Sequence, residues 1–209
     1  MAIELRPGCT VMFTGDSITD CGRLLADEPL GYGYPVRVAG QWGFKHPTRD
    51  VNWLNTGVAG DTTVHLERRW DRDVLSARAD VVSVLIGAND VSWHTFDPDG
   101  WIMAPAEYAE RYDRLLRPLA AAGTRLILIE PFILPLTGER RDLLGRLAEM
   151  ITAVRDLAQT HHASLLAADG LFAQLSAASG AAPWTYDGVH LSRAGHAALA
   201  AEWLKLVDY

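Results

Sequence analysis

The stretch VVSVLIG, residues 81–87, is apolar at nearly every position over the length of one strand. A second stretch of the same character, RLILIEP, occupies residues 125–131. Continuous apolar strands are typical of a parallel sheet that helices cover on both faces, because neither face of such a strand meets water. The two stretches therefore predict a central parallel sheet.

The rest of the chain alternates between short strand-like runs and helical patterns. This alternation indicates an α/β fold, in which each helix returns the chain to the start of the next parallel strand. We predict one domain over residues 1–209, with three α/β/α layers around a parallel sheet of about five strands. The predicted strands are residues 11–14, 51–55, 80–86, 125–130 and 164–167, and the predicted helices are about 34–43, 62–75, 105–122, 138–160 and 193–207.

The overall composition argues against several classes of function. Of the 209 residues, 49% are hydrophobic and 22% are charged, as in soluble globular proteins. A net charge of −7 gives no support for nucleic-acid binding. No stretch approaches the roughly 18 uninterrupted apolar residues of a membrane span, so no membrane partner is expected. Residues 1–13 lack both a basic leader and a long apolar segment, so we expect a cytoplasmic location.

The cysteine, histidine and glycine patterns argue against a bound metal and against a nucleotide cofactor. Cys9 and Cys21 are too few for a disulfide framework, and both thiols are expected to be reduced. The chain has no HExxH motif and no Cys/His cluster at ligand spacing, so no metal is expected. The segment GDSITDCG, residues 15–22, lacks the GxGxxG spacing of a dinucleotide-binding loop, and no cofactor is expected.

Four short motifs follow predicted strands or precede a predicted helix. Taken singly, each has an ordinary structural explanation. A serine after Gly-Asp is often a helix N-cap, a glycine often serves a turn, an asparagine often caps a helix and a histidine often lies in a loop. Their joint order points to chemistry instead, because parallel sheets carry their sites at the carboxyl ends of strands. The motifs are GDSI (15–18), NTGVAGD (55–61), GAND (87–90) and DGVH (187–190).

With these four motifs the chain resembles the GDSL esterases, also called SGNH hydrolases. The letters SGNH correspond here to Ser17, Gly60, Asn89 and His190, and the resemblance extends over residues 11–196. The first motif has isoleucine where the family name has leucine, which is a conservative difference. The longer string GDSITDCGR is similar to the first block of cytoplasmic acetylxylan esterases. The resemblance implies a flavodoxin-like α/β fold and hydrolysis of carboxylic esters.

The residue types agree with nucleophilic catalysis. The hydroxyl of Ser17 is a weak nucleophile that needs an adjacent base, and an imidazole titrates near neutral pH. His190 is the expected base. Asp187, three residues earlier, can accept a hydrogen bond from Nδ1 of His190 and fix its tautomer. His94, just beyond the third motif, is the alternative base.

Attack on an ester places negative charge on the former carbonyl oxygen. Three donors are expected to meet that charge: the backbone N–H groups of Ser17 and Gly60, and the side-chain amide of Asn89. Glycine suits the second position because the backbone must approach the substrate without an intervening side chain.

Aromatic residues gather in the segments expected around the site, where their flat faces suit sugar rings. We expect Trp93, Trp184 and Tyr186 to contact substrate, although packing in the core is the alternative for each. Asp16 is grouped with them, although it is also expected to cap or orient the turn before the serine. Tyr32, Tyr34 and Trp101 lie in the same segments.

These features together predict a serine esterase that removes acetyl groups from small carbohydrates, such as acetylated xylo-oligosaccharides, through an acyl-enzyme. One alternative is a lysophospholipase or thioesterase of the same family. Another is a non-catalytic carbohydrate-binding protein on this fold. A small-molecule ester is the expected partner, and assembly into a homo-oligomer is a further expectation.

Overall fold

A computed structural model describes residues 2–25, 27–92 and 103–208 of the chain. Its main sheet has five parallel strands in the order β3-β2-β4-β5-β6, and a separate parallel pair joins β1 to β7. The five strands correspond to the five that the sequence predicts, and the α/β class is confirmed. The strands are β1 (Ile3–Glu4), β2 (Thr10–Gly15), β3 (Asn52–Asn55), β4 (Val81–Leu85), β5 (Arg125–Ile129), β6 (Ser164–Leu166) and β7 (Val207–Asp208).

Helices flank the main sheet in two groups. In one group α2 packs against α9, and in the other α5 packs against both α3 and α7. Short 3₁₀ helices span Leu75–Ala77 and Leu204–Leu206. The α-helices of the described residues are α1 (Ser17–Asp20), α2 (Tyr34–Lys45), α3 (Thr63–Asp73), α4 (Ala88–Ser92), α5 (Pro105–Ala121), α6 (Gly138–Asp142), α7 (Leu144–Thr160), α8 (Ala168–Ser179) and α9 (Arg193–Trp203).

Two helices differ from the sequence prediction, and α1, α4 and α8 were not predicted. The predicted helix at 138–160 is interrupted at Leu143, which separates α6 from α7. The predicted helix at 193–207 ends at Trp203, because the last residues pair as β7 with β1 at the opposite end of the chain. Local periodicity cannot report a partner some 200 positions away. Helix α8 was missed altogether.

The core is formed by the central strands and the apolar faces of the helices. All five residues of β4 are buried, as its continuous apolar run predicts. The ring of Phe13 stacks on Trp53 with centroids 6.0 Å apart, and lies 5.3 Å from the ring of Trp203. The indole N–H of Trp203 donates to the hydroxyl of Ser83 at 3.0 Å, which satisfies the polar side chain inside β4. No helix among the described residues is long and apolar enough to cross a membrane.

The strand order places three of the four motifs side by side. The motifs at 15–18, 55–61 and 87–90 follow β2, β3 and β4, which are neighbours in the sheet. Because the strands are parallel, their carboxyl ends meet at one edge, as in other open α/β sheets. The fourth motif, at 187–190, reaches this edge from the loop before α9.

Candidate active site

Ser17 occupies a sharp exit from β2. Gly15, the last residue of the strand, has φ +147°, and a Cβ there would lie 2.0 Å from the carbonyl oxygen of Leu85 on β4. Only glycine allows this close approach. The carboxylate of Asp16 then caps α1 by accepting from the amide of Ile18 at 3.0 Å. Ser17 is the first residue of α1 and Asp16 is its N-cap, so the expectation that the serine itself caps a helix is wrong.

A tight loop holds the histidine. Thr185 and Leu191 form an antiparallel bridge that closes the loop. Inside it, one oxygen of Asp187 accepts from the backbone amides of Val189 at 2.9 Å and His190 at 2.7 Å. The carboxylate is thus fixed by backbone contacts before it meets the imidazole.

The loop is also anchored to the segment after β5. Gly188 has φ +93°, and its carbonyl accepts from the amide of Leu134 at 2.7 Å. A Cβ at this glycine would lie 2.7 Å from the carbonyl oxygen of Leu134, so a larger residue could not dock there. The contact with the segment after β5 therefore helps to hold the loop of His190 at the carboxyl edge of the sheet.

The structure brings the first and fourth motifs together. Oγ of Ser17 lies 3.0 Å from Nε2 of His190, and Nδ1 of His190 lies 2.7 Å from the second oxygen of Asp187. Partial burial alone would raise the pKa of Asp187, but the hydrogen bonds from the His190 ring and from two backbone amides outweigh it and lower that pKa. Asp187 is consequently ionised at neutral pH and can hold His190 with Nε2 facing the serine.

Three hydrogen-bond donors lie in the motifs that follow β2, β3 and β4. The backbone amides of Ser17 and Gly60 have no hydrogen-bond acceptor within the described part of the chain. Gly60 has φ +83°, a left-handed conformation that favours glycine. The side-chain amide of Asn89 uses one N–H on the carbonyl of Asp61 at 2.8 Å, and its second N–H has no acceptor among the described residues.

Two further residues, which the sequence analysis did not single out, hold the motifs in place. The guanidinium of Arg69 is buried and donates to the carboxylate of Asp61 at 2.7 Å, the carbonyl of Thr56 at 2.7 Å and the carbonyl of Gly15 at 3.2 Å. It therefore joins the exits of β2 and β3. Arg69 lies within a predicted amphipathic helix, and nothing in the sequence indicates that it joins two strand ends. The second residue is Asp90.

Asp90 joins the third motif to the second. Its carboxylate accepts from the backbone amide of Thr63 at 3.0 Å and from the hydroxyl of Thr63 at 2.6 Å. These contacts tie α4 to the first turn of α3, next to the segment that contains Gly60. The signal available in the sequence was its position beside Asn89 in the GAND motif.

Two carboxyl groups in the motifs of the site are buried. Burial raises the pKa of Asp16 to about 7, although the Ile18 amide opposes the effect. Burial also raises the pKa of Asp90 to about 6, against the hydrogen bonds from Thr63. The floor of the site therefore carries less negative charge near neutral pH than its residue types alone suggest.

The residues expected to contact substrate have different surroundings. Tyr186 is 71% exposed, next to Asp187. Trp184 is partly buried, and its indole N–H donates to the hydroxyl of Ser179 at 2.9 Å. Asp16 is only 2% exposed and is occupied as the cap of α1. The ring of Tyr34 is fully buried in the core. Trp93, Trp101 and the alternative base His94 lie outside the described residues.

Within the described ranges, no group of three or more His, Cys, Asp or Glu side chains is arranged to hold a metal ion. Both cysteines have free thiols. The arrangement that remains is a serine hydrogen-bonded to a histidine, and that histidine to an aspartate, at the carboxyl edge of a parallel sheet. This is the arrangement by which serine hydrolases activate a hydroxyl for acyl transfer.

Residues 13–198 match the model of the GDSL-like lipase/acylhydrolase family, and the chain belongs to that family. It is a carboxylic ester hydrolase. An acetylxylan esterase from Geobacillus stearothermophilus is 30% identical over 217 aligned positions, which cover 99% of this chain and 97% of the relative.

Solved structures resemble the fold closely. The acetylxylan esterase Axe2 from G. stearothermophilus superposes with a TM-score of 0.89 at 28% identity, over 98% of this chain and 96% of that one. A GDSL-like lipase from Parabacteroides merdae gives a TM-score of 0.91 at 29% identity, over 99% and 98% of the two chains. The solved Axe2 structures include catalytic mutants with a serine or an aspartate replaced by alanine.

Proposed function

We propose that the protein deacetylates small carbohydrates, with acetylated xylo-oligosaccharides as the substrate class, and that Ser17, His190 and Asp187 form its catalytic triad. The observation that carries this proposal is the continuous pair of hydrogen bonds, 3.0 Å and 2.7 Å long, that joins side chains 173 positions apart. The cap of α1 is Asp16, so helix capping does not account for the contact between Ser17 and His190.

In the proposed reaction, the hydroxyl oxygen of Ser17 attacks the acetyl carbonyl while Nε2 of His190 accepts the hydroxyl proton. The resulting imidazolium is stabilised by the ionised Asp187. His190 then returns the proton to the departing sugar oxygen, and the acetyl group stays on the serine as an ester. Water then attacks the acetyl carbonyl carbon and gives a proton to the same imidazole. The bond from that carbon to the serine oxygen breaks, the imidazolium returns the proton to this oxygen, and acetate leaves.

The negative charge of the tetrahedral intermediate is assigned to three donors, the amides of Ser17 and Gly60 and the free N–H of Asn89. Donors held in place before the reaction stabilise the transition state without reorganisation. The contact of Asn89 with the Asp61 carbonyl provides that preorganisation, because it fixes the amide plane.

The choice of an acetylated sugar rests on the relatives and on the surface of the site. One relative is an acetylxylan esterase, and Axe2 is also described as an acetyl-xylooligosaccharide esterase. The imidazole side chain is 52% exposed and Tyr186 lies open beside it, so a hydrophilic oligosaccharide can reach the serine directly. Acetate esters, small and water-soluble, suit this open geometry.

Two measurements test the proposal. First, a serine-directed phosphonate should add one equivalent of mass to the wild-type protein and none to Ser17→Ala. Second, turnover should fall along a series of p-nitrophenyl esters as the acyl chain lengthens, and acetylated xylo-oligosaccharides should be deacetylated. Preferential hydrolysis of medium-chain acyl thioesters or lysophospholipids would overturn the substrate class. A folded wild-type protein that forms no adduct would overturn the assignment of Ser17.

A further inference from the structure

A cavity of about 640 Å³ is lined in part by residues that adjoin the proposed triad in the sequence or contact its backbone. Its wall includes Tyr186, whose amide donates to the carbonyl of His190 at 2.9 Å, and Leu191, the next residue after His190. It also includes Cys21, whose amide donates to the carbonyl of Ser17 at 2.9 Å. The serine helix and the histidine loop thus both border the cavity.

The volume of the cavity identifies which part of an ester it can receive. It falls within the roughly 300–1,000 Å³ of typical small-molecule sites. An acetyl group is far too small to fill such a space, whereas one or more sugar rings are of suitable size. The cavity therefore suits the alcohol portion of the ester, the part that leaves when the serine is acylated.

Two tyrosines give the cavity aromatic surface. Tyr32 is 61% exposed and Tyr186 is 71% exposed, and both belong to its wall. Exposed aromatic side chains cost free energy in water unless a partner covers them, and their flat faces suit the apolar C–H faces of sugars. The aromatic surface is consistent with a carbohydrate occupant.

Two arginines give the cavity a positive charge. Arg37 and Arg193 line it, and no aspartate or glutamate of the described residues does. The thiol and the imidazole of the wall are neutral at pH 7: burial raises the pKa of Cys21 and lowers the pKa of His196 to about 4. The nearest acidic groups are occupied elsewhere. Asp20 accepts from backbone amides of residues 23 and 59, and Asp187 accepts from His190.

Arg37 is held in place with donors to spare. One terminal nitrogen, Nη1, donates to the carbonyls of Tyr32 and Gly33, the latter at 2.7 Å. Its Nε and Nη2 groups have no acceptor in the described part of the chain. A fixed guanidinium with free N–H groups is well suited to bind a carboxylate or phosphate.

The position of Arg193 is electrostatically unfavourable for the helix that contains it. It is the first residue of α9, after the cap Ser192. A positive charge in the first turn opposes the helix dipole, so helix stability does not account for this arginine. Its side chain is exposed and forms no ion pair with any described residue. The charge is thus available to a ligand in the cavity.

We propose that this cavity binds the leaving alcohol of an acetylated sugar that carries an anionic group. Arg37 and Arg193 contact the anion, and the two tyrosines contact the sugar rings. The inference rests on the proposed function and narrows its substrate to acidic oligosaccharides, such as acetylated xylo-oligosaccharides with a uronic acid branch. A sugar phosphate offers the same anionic chemistry, and the experiment separates the two.

The test compares kcat/KM for three substrates: a neutral acetylated xylo-oligosaccharide, the same backbone with a uronic acid, and an acetylated sugar phosphate. The variant Arg193→Met should lower kcat/KM for the preferred anionic substrate by roughly tenfold or more, from loss of a charge-assisted contact. It should leave the neutral substrate and p-nitrophenyl acetate unchanged. Arg193→Lys should retain most of the preference. Arg78→Met, the matched control, removes the same charge at the amino end of the sheet and should change nothing.

Binding provides a readout that does not depend on catalysis. Titration of Ser17→Ala with the deacetylated acidic oligosaccharide, followed by calorimetry, should give tighter binding than the neutral oligosaccharide, and added salt should weaken the difference. The proposal would be overturned if Arg193→Met lowered kcat/KM equally for neutral and anionic substrates, or if it lowered kcat/KM for neither. Failure of the triad itself looks different, because p-nitrophenyl acetate hydrolysis would then be absent from the wild-type protein.

Discussion

Replacing Arg69 with methionine removes the guanidinium that joins the exits of β2 and β3. The side chain of methionine fills similar space without donating a hydrogen bond. The change leaves the carbonyls of Gly15 and Thr56 without these donors and leaves the buried carboxylate of Asp61 without its cation. Removing one partner of a buried ion pair costs about 3–5 kcal/mol, because the other charge stays buried and uncompensated.

The loss of stability should depend on pH. Burial already raises the pKa of Asp61 above its ordinary value, and Arg69 opposes that rise. Without the arginine the pKa of the folded state rises further. A carboxyl whose pKa is higher in the folded state than in the unfolded state makes the protein less stable as pH increases. Arg69→Met should therefore lose more stability at pH 8 than at pH 5.

Urea unfolding at both pH values, followed by tryptophan fluorescence, measures the effect. In a thermal melt, the melting temperature should fall by about 10 °C, because each kcal/mol lowers it by about 2–4 °C in a chain of this size. The double variant Asp61→Asn with Arg69→Met should recover part of the loss and show less pH dependence. Arg68→Met, at the exposed neighbouring position, is the matched control and should stay within about 0.5 kcal/mol of wild type. A loss below about 1 kcal/mol, or equal losses at the two pH values, would refute the reasoning.

Three further predictions concern residues around the serine. Asn89→Ala should lower kcat by about 10²–10³ with a normal circular dichroism spectrum, and an unchanged kcat would remove this amide from the oxyanion site. Asp16, with a pKa of about 7 when folded against 3.8 ordinarily, destabilises the fold as pH rises from about 4 to 7. Asp16→Asn should abolish that dependence, which is on the order of 3 kcal/mol between pH 5 and pH 8 in urea titrations; parallel losses in both proteins would contradict it. Gly15→Ala should prevent stable folding, because the added Cβ would clash with the backbone of Leu85. Gly123 also has a positive φ, of +79°, but an added Cβ would have no neighbouring atom within 4 Å, so Gly123→Ala should lower the melting temperature only slightly. Similar melting temperatures for the two alanine variants would count against the packing argument.

Local patterns carried the prediction of the strands. The apolar runs at 81–86 and 125–130 form β4 and β5 within one residue of the predicted bounds. Strands that are buried on both faces are apolar at nearly every position, so the sequence shows them directly. Boundaries that depend on distant partners were not predictable. The end of α9 is set by the pairing of β7 with β1, and no neighbour in the sequence records that pairing.

The sequence by itself determined the class of fold and the chemical groups of the four motifs: a serine, a glycine, an asparagine, and a histidine with its aspartate. These follow from residue type and order along the chain, which are local properties. Only the tertiary structure decided the sheet order β3-β2-β4, the 3.0 Å approach of Ser17 to His190 and the buried guanidinium of Arg69. Such features arise because many non-local contacts form together, and each contact lowers the free energy only when its distant partner is in place.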